Sequence, residues 1–261
     1  MAILDGLIGC WSPSLGASGY RLQDRTKYGN HGTLTNMDAG TDWVASPVGV
    51  VLDFDGTNDY VSIGSPQSIS GALPRMSKTM WVNVRQTASQ KYLFADFNGA
   101  GSISRMSISH DTKFKAFQNT ATALTGTTTL STGVWYFVVV TRNDGTGAGG
   151  TGSMKLYVNG MMEASTTYSY TSPSLQASGE QLARSNATFG DYPNAQIGEA
   201  TIWRRDLTDA EIVQLLKSGN GWIGRELTGM NRRRRAYKGP SFRAAWAFRQ
   251  KMIIGSGGGL G

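Results

Sequence analysis

Carboxylates are the first residues to weigh for chemistry, and three of them fall close together. Asp53, Asp55 and Asp59 form D-x-D-G-x-x-D within Val50–Ile63, VVLDFDGTNDYVSI. A calcium loop of the EF-hand kind needs glycine at its sixth position and glutamate at its twelfth. Here the glycine is fourth and the twelfth residue is Gly64. Turn closure is the preferred reading over a metal loop, because Asp and Asn side chains hydrogen-bond nearby backbone in tight turns. No cofactor is expected, and the sequence does not support Ca2+.

Glycoside hydrolysis uses a pair of carboxylates flanking the scissile bond. Glu163, Glu180, Glu199, Glu211 and Glu226 stand isolated from one another along the chain. Gly145–Gly150 reads G-x-G-x-x-G, but it lies between two strand-like runs rather than between a strand and a helix. A phosphate cradle needs the helix N-terminus, so a hairpin loop is expected instead. His31 and His110, the only histidines, do not stand with Ser or Cys in any nucleophile signature. Cys10 is the single cysteine, which excludes an intrachain disulfide. Beside Trp11 it reads as a small buried residue. No catalytic residue and no metal ligand is assigned, and the chain is expected not to be an enzyme.

The elements that would position such residues are mostly strands. Val50–Phe54 and Tyr60–Ile63 are β-branched and aromatic runs on either side of Asp-Gly-Thr-Asn-Asp, a hairpin signal. Lys78–Val84 alternates, with Met80, Val82 and Val84 on one face and Trp81 and Asn83 on the other. Tyr92–Phe97, Arg105–Ser109 and Lys113–Gln118 follow, and the alternation in Lys78–Val84 and in the last two runs predicts one packed and one wet face. Val134–Arg142 is apolar on both faces, which predicts a central strand. Met154–Val158 and Met162–Ser165 flank Asn159-Gly160, a strong two-residue turn signal. Ala187–Phe189 and Ala195–Trp203 complete the strand series. One helix is marked by Thr208 as N-cap, Glu211 at N3, an apolar stripe of Ile212, Leu215 and Leu216, and Gly219 at its end. The 34 glycines and only 16% charged residues suit short strands with frequent turns.

These features arrive in a recognisable order: Trp11, Asp24, Gly29-Asn30-His31-Gly32, Trp43, Leu52–Gly56, Asp59–Ile63, Trp81-Val82, Trp135–Thr141, Leu156–Gly160, Ile197–Trp203 and Leu207–Ile212. The series resembles the laminin-G-like branch of the concanavalin A-like lectin/glucanase superfamily, over about residues 4–217. The resemblance implies an all-β jelly-roll sandwich of two antiparallel sheets with one short helix near residue 210. It does not imply one function, since lectins, glycosidases, adhesion modules and virus surface proteins share the fold. The Glu-x-Asp-x-x-Glu of the superfamily's glucanases does not occur. Where relatives commonly carry Asp-Glu before the last strand, this chain has Gly198-Glu199, which weakens any calcium site inherited from the family.

A glycan site on such a fold is expected on rim loops, with aromatic faces beside Asp or Asn. Tyr168, Tyr170, Asp191, Tyr192 and Asn194 are the candidates, with ordinary turn residues as the alternative reading. The remaining signal is charge. Residues 222–261 hold nine Lys and Arg against one Glu, whereas residues 1–221 hold 16 basic against 17 acidic residues. Two parts are therefore expected: a near-neutral domain over 1–221 and a basic anchoring tail over 222–261. Arg232, Arg233, Arg234 and Arg235 form a run, and Phe242, Trp246 and Ile253 lie on one face of a short amphipathic segment with Arg249 set apart from it.

Four arginines can meet nucleic acid electrostatically, remain solvated, or meet acidic groups on a protein. Without interleaved stacking residues the protein partner is preferred. The tail's Ala-Ala-Trp-Ala-x-Arg-x-x-x-Ile-Ile-Gly is similar to tails on laminin-G-like proteins of bacteriophages and marine prophages. That resemblance implies a virion structural protein, a capsid decoration or tail-associated component and a homo-oligomer within an assembly. Its partners would be capsid or tail proteins. The alternatives are a soluble carbohydrate-binding module and, behind it, a degenerate glycosidase. No membrane segment and no secretory signal is read in the sequence, so assembly in the host cytoplasm is expected.

Overall fold

The computed structural model describes residues 2–69, 73–97, 106–118, 122–145, 151–169, 179–185 and 191–229. The expected strand Ala187–Phe189, the loop residues 146–150, Tyr170 and everything from residue 230 onward lie outside these. In chain order the strands are β1 (Leu7–Trp11), β2 (Arg21–Leu22), β3 (Gly32–Thr35), β4 (Trp43–Ser46), β5 (Gly49–Asp55) and β6 (Tyr60–Gly64). They continue with β7 (Arg75–Val84), β8 (Lys91–Phe97), β9 (Ser107–His110), β10 (Phe114–Gln118) and β11 (Thr122–Thr125). The last are β12 (Trp135–Asn143), β13 (Thr151–Val158), β14 (Met161–Ser169), β15 (Gly179–Leu182) and β16 (Asn194–Trp203). Two helices, α1 (Asp209–Ser218) and α2 (Trp222–Leu227), follow them.

The strands form two antiparallel sheets. The back sheet runs β14-β13-β12-β7-β16-β5-β4, with β1 also paired to β16. The front sheet runs β11-β10-β9-β8-β15-β6-β3-β2. This is the expected jelly-roll sandwich. The long strand β16 is shared lengthwise: Asn194–Ile197 pair with β5 on one edge, and Ala200–Trp203 pair with β1. A register shift between Ile197 and Ala200 in the β16–β7 ladder marks the changeover.

Sequence periodicity explains most of this. Met76, Met80, Val82 and Val84 of β7 face the front sheet and join Phe54, Phe94, Ile108, Phe114 and Leu156 in one core. β12 lies between β7 and β13, as its two apolar faces require. Asn159 closes the β13–β14 hairpin with a left-handed φ of 49°, a conformation that asparagine tolerates. The helix α1 has the expected capping box: Glu211 N–H donates to Thr208 Oγ1, and Thr208 N–H donates to Glu211 Oε2.

Three expectations change. The outer face of β7 is not wet. Trp81 on β7, Trp135, Phe137 and Val139 on β12, and Trp203 on β16 form a second core with Ile3, Leu7, Ile212, Leu215 and Ile223. Both faces of the back sheet are thus covered, the outer one by the N-terminal segment and both helices. On β9, Ser107 and Ser109 are as buried as Ile108, so that strand has no wet face either. Finally, Trp222–Leu227, at the head of the expected tail, is the helix α2, and its Ile223 packs in the second core.

Candidate functional site

The hairpin between β5 and β6 is the starting point. Asp55 N–H donates to Asp59 Oδ2 at 3.1 Å, and Thr57 N–H donates to Asp55 Oδ1 at 2.7 Å. The third carboxylate, Asp53, is paired with the guanidinium of Arg85. Asp55 and Asp59 therefore close the turn, as residue type and spacing suggest, whereas Asp53 is held in an ion pair. Among the described residues no group of three or more His, Cys, Asp or Glu could hold a metal ion. Burial is the main influence on Asp59, whose carboxyl is pushed up to about 6, with Asp55 and Asp42 adding like charge.

That turn fixes Tyr60 at the head of β6. The topology brings two more loops to it: Arg184 just after β15, which pairs with β6, and Tyr192 just before β16, which pairs with β5. The Tyr60 and Tyr192 rings lie 6.3 Å apart at 39° to each other. The Arg184 guanidinium stands 4.3 Å from the Tyr60 ring centroid and 5.9 Å from that of Tyr192. Arg184 is buried and both tyrosines are half-buried, so a buried cation stands against two partly exposed aromatic residues.

Polar groups rim this pair. Ser185 Oγ donates to Asp191 Oδ2 at 3.2 Å, and Tyr92 N–H donates to the Asp191 carbonyl at 3.4 Å. Arg85 N–H donates to the Asn194 carbonyl at 2.9 Å, while Asn194 Oδ1 is buried without a hydrogen-bond partner. Tyr92 and Phe117, with ring centroids 6.1 Å apart, extend the aromatic surface along the front sheet. Two aromatic faces beside a carboxylate can take up a polyhydroxylated ring: the apolar face stacks and the carboxylate accepts hydrogen bonds.

Of the sequence candidates, Asp191, Tyr192 and Asn194 are therefore gathered in one place. Tyr168 is not with them. It sits opposite Gly152 on the β13–β14 edge, its hydroxyl donating to Asp144 Oδ1 at 2.5 Å, with Arg142 paired to the same carboxylate. Burial and this bond raise the Tyr168 hydroxyl above its usual range. Asn143 pairs with Arg75 at one end of β7, whereas Ala195 pairs with Val84 at the other. At the usual strand rise the two places are roughly 30 Å apart. Tyr170 and the tail residues Arg232, Arg233, Arg234, Arg235, Phe242, Trp246, Arg249 and Ile253 lie outside the described residues. Tyr60, Tyr92 and Arg184 were missed by sequence reading; the one available signal was that Tyr60 directly follows the hairpin turn.

The other singled-out residues have structural work. His31 Nδ1 accepts from Asp24 N–H at 3.0 Å, and Asp24 accepts from the backbone of Cys10, Thr26 and Asn30, which fixes the Asn-His-Gly turn. Cys10 is buried, its thiol raised chiefly by burial. Gly198 is required by close approach: a Cβ there would collide with the side-chain amide of Asn220, whose Oδ1 accepts from Glu199 N–H at 2.6 Å.

Comparison with known proteins bears on this geometry. The family model for the concanavalin A-like lectin/glucanases superfamily matches residues 55–213. No curated protein matches the chain in sequence. Among solved structures it is similar to Trypanosoma rangeli sialidase in complex with sialic acid, with a TM-score of 0.59 and 18% identity over 82% of this chain. The binding domain of Paraclostridial Mosquitocidal Protein 1 gives a TM-score of 0.64 and 14% identity over 83% of this chain. The chain spans only 33% of the sialidase's length and 53% of the toxin chain's. At such identities the likeness is one of fold. It nevertheless corrects the expectation that the chain is not an enzyme. That expectation rested on catalytic spacings and signatures that the sequence lacks, and the same fold occurs within a sialidase chain. By its fold and by the matched residues, the chain belongs to the concanavalin A-like lectin/glucanase superfamily.

Proposed function

We propose that the domain is a carbohydrate-binding jelly roll whose ligand stacks on Tyr60 and Tyr192. The observation that carries this reading is the tyrosine pair set against buried Arg184, partly exposed and beside Asp191. The likeness to a sialidase crystallised with sialic acid and to a toxin's binding domain supports it at the level of fold. The test is a glycan array with the full-length chain, followed by titration of the best ligand against Tyr60→Ala and Tyr192→Ala. Loss of binding in both variants, with unchanged thermal unfolding, is expected. Binding of no glycan by the parent chain, or undiminished binding by both variants, would defeat the reading.

A second reading is favoured by the charge division alone. A segment carrying nine Lys and Arg against one Glu over residues 222–261 suits an anchor to acidic surfaces of capsid or tail proteins in a phage virion. Because α2 packs on the domain, such an anchor would begin after residue 229. Mass spectrometry of purified particles tests it: a stoichiometric amount of this chain is expected, and its absence would remove the idea.

A further inference from the structure

A sheet ends in backbone groups that still need partners, and the ends of this sandwich are unequal. β2, β4 and β11, which close three of them, are two, four and four residues long. Edges that short offer little to another strand. β1, a branch on β16, is buried throughout. The remaining end is β14, Met161–Ser169, which is nine residues long and paired with β13. Among the described residues no other backbone hydrogen-bonds to it.

β14 also lacks the devices that keep an exposed edge from pairing. It carries no Lys, Arg or Pro. Its one charged residue, Glu163, is tied to its own molecule: the carboxylate accepts from the N–H groups of Thr127 at 2.9 Å and Thr128 at 3.1 Å. A register shift leaves Glu163 out of the ladder, while residues 164–169 run in regular register with β13. Ser165 and Thr167 are exposed. Met161 and Met162 are 71% and 51% exposed, and they make up half of the four large apolar side chains exposed among the described residues. An open, uncharged edge beside exposed apolar side chains is the pattern of a contact surface.

We propose that two copies of the chain pair antiparallel through β14, so that their back sheets run on as one. The second copy is the occupant that this edge suits. Pairing of the strand with itself needs one two-fold axis and closes on itself. Centred on Thr166, it sets Ser165 against Thr167 of the second copy, a favourable cross-strand pair. The charge nearest the contact is Lys155, opposite Ser165 on β13. Three strand spacings, about 14 Å, would separate the two Lys155 positions, beyond the screening length at physiological salt. Residues 164–168 supply about five main-chain bonds, at the lower end of what protein interfaces carry, so the dimer is reversible. Methionine adapts to irregular surroundings, and Met161 with Met162 suits the margin of this contact.

Sedimentation velocity of the full-length chain over a dilution series tests this. A dimer that dissociates on dilution is expected. Ser165→Lys and Thr167→Lys, each placing like charge on the shared edge, should be monomeric at the concentration where the parent is dimeric, with unchanged melting temperature. If those variants unfold, hydrogen exchange of the parent decides. The β14 amides that face away from β13 should then be protected in the concentrated sample and lose that protection on dilution. A parent that is monomeric at every concentration overturns the proposal. So does a dimer that survives both substitutions, or β14 exchange that does not depend on concentration.

Discussion

The carboxylate of Glu199 accepts from the backbone N–H of Gly224 at 2.8 Å and from that of Ile223 at 3.2 Å. Both donors are free N–H groups of the first turn of α2, so a buried side chain on β16 caps a helix that the sequence places beyond the domain. Cys10 Sγ adds a weak donor to the same carboxylate at 3.8 Å. Replacing Glu199 by Ala should strand these donors in the second core and cost about 2–4 kcal/mol. Urea unfolding measures that loss, and proteolysis after Arg225 should quicken in parallel. Glu199→Gln, which keeps a carbonyl acceptor, should lose less.

Gly198→Ala should destabilise by about 1–3 kcal/mol, because the new methyl group meets the side chain of Asn220. Asn220→Gly, which vacates that space, loses the bond to Glu199 N–H but should tolerate the alanine. A double-mutant cycle by thermal unfolding would show coupling between the two positions, and simple additivity would refute the collision.

Two buried groups should act oppositely on stability in mild acid. Asp59 has its pKa raised to about 6, so the folded state holds a proton that the unfolded chain releases near pH 4. Its contribution therefore falls as pH rises from about 4 to 6. His110 is driven down to about 4, mainly by burial, with the Lys91 charge acting in the same direction and Asp111 opposing. Neutral when folded and protonated when unfolded, it contributes stability that is lost as pH falls from about 6.5 to 4. Asp59→Asn should steepen the net rise of stability with pH over this range, and His110→Gln should reverse or flatten it. Melting temperatures at pH 4–7 provide the measurement.

At the rim, Tyr60→Ala should weaken glycan binding by tenfold or more, about 1.4 kcal/mol. Tyr60→Phe should retain most of the affinity, because the stacking face survives. Equal losses in the two variants would point to the hydroxyl instead of the ring.

Several strands and the turns between them were legible because local chemistry specifies them. Asp55 and Asp59 close the first hairpin, Asn159 adopts the left-handed turn, and Thr208 with Glu211 caps α1. The interior polar set was not legible, because alternation treats a charged residue as a wet one. Lys78 was hidden in an otherwise conventional strand, and its partners on β8 and β15 come from distant parts of the chain. The short strand Gly179–Leu182, carrying Glu180 and Gln181, gives no apolar signal at all. The rim was half legible for the same reason. Asp191, Tyr192 and Asn194 are neighbours in sequence, whereas Tyr60 and Arg184 join them only through strand pairing.

β5 is a ruler between the two ends of the molecule. At its start, the Val48 carbonyl accepts from the Asn220 side chain, just ahead of α2; at its finish, Asp55 pairs with Asn194 beside the tyrosines. Its seven residues separate these points by roughly 20 Å. The tyrosine rim and the Asn220 turn that leads into α2 therefore lie on separate ground, and a molecule seated on one leaves the other uncovered.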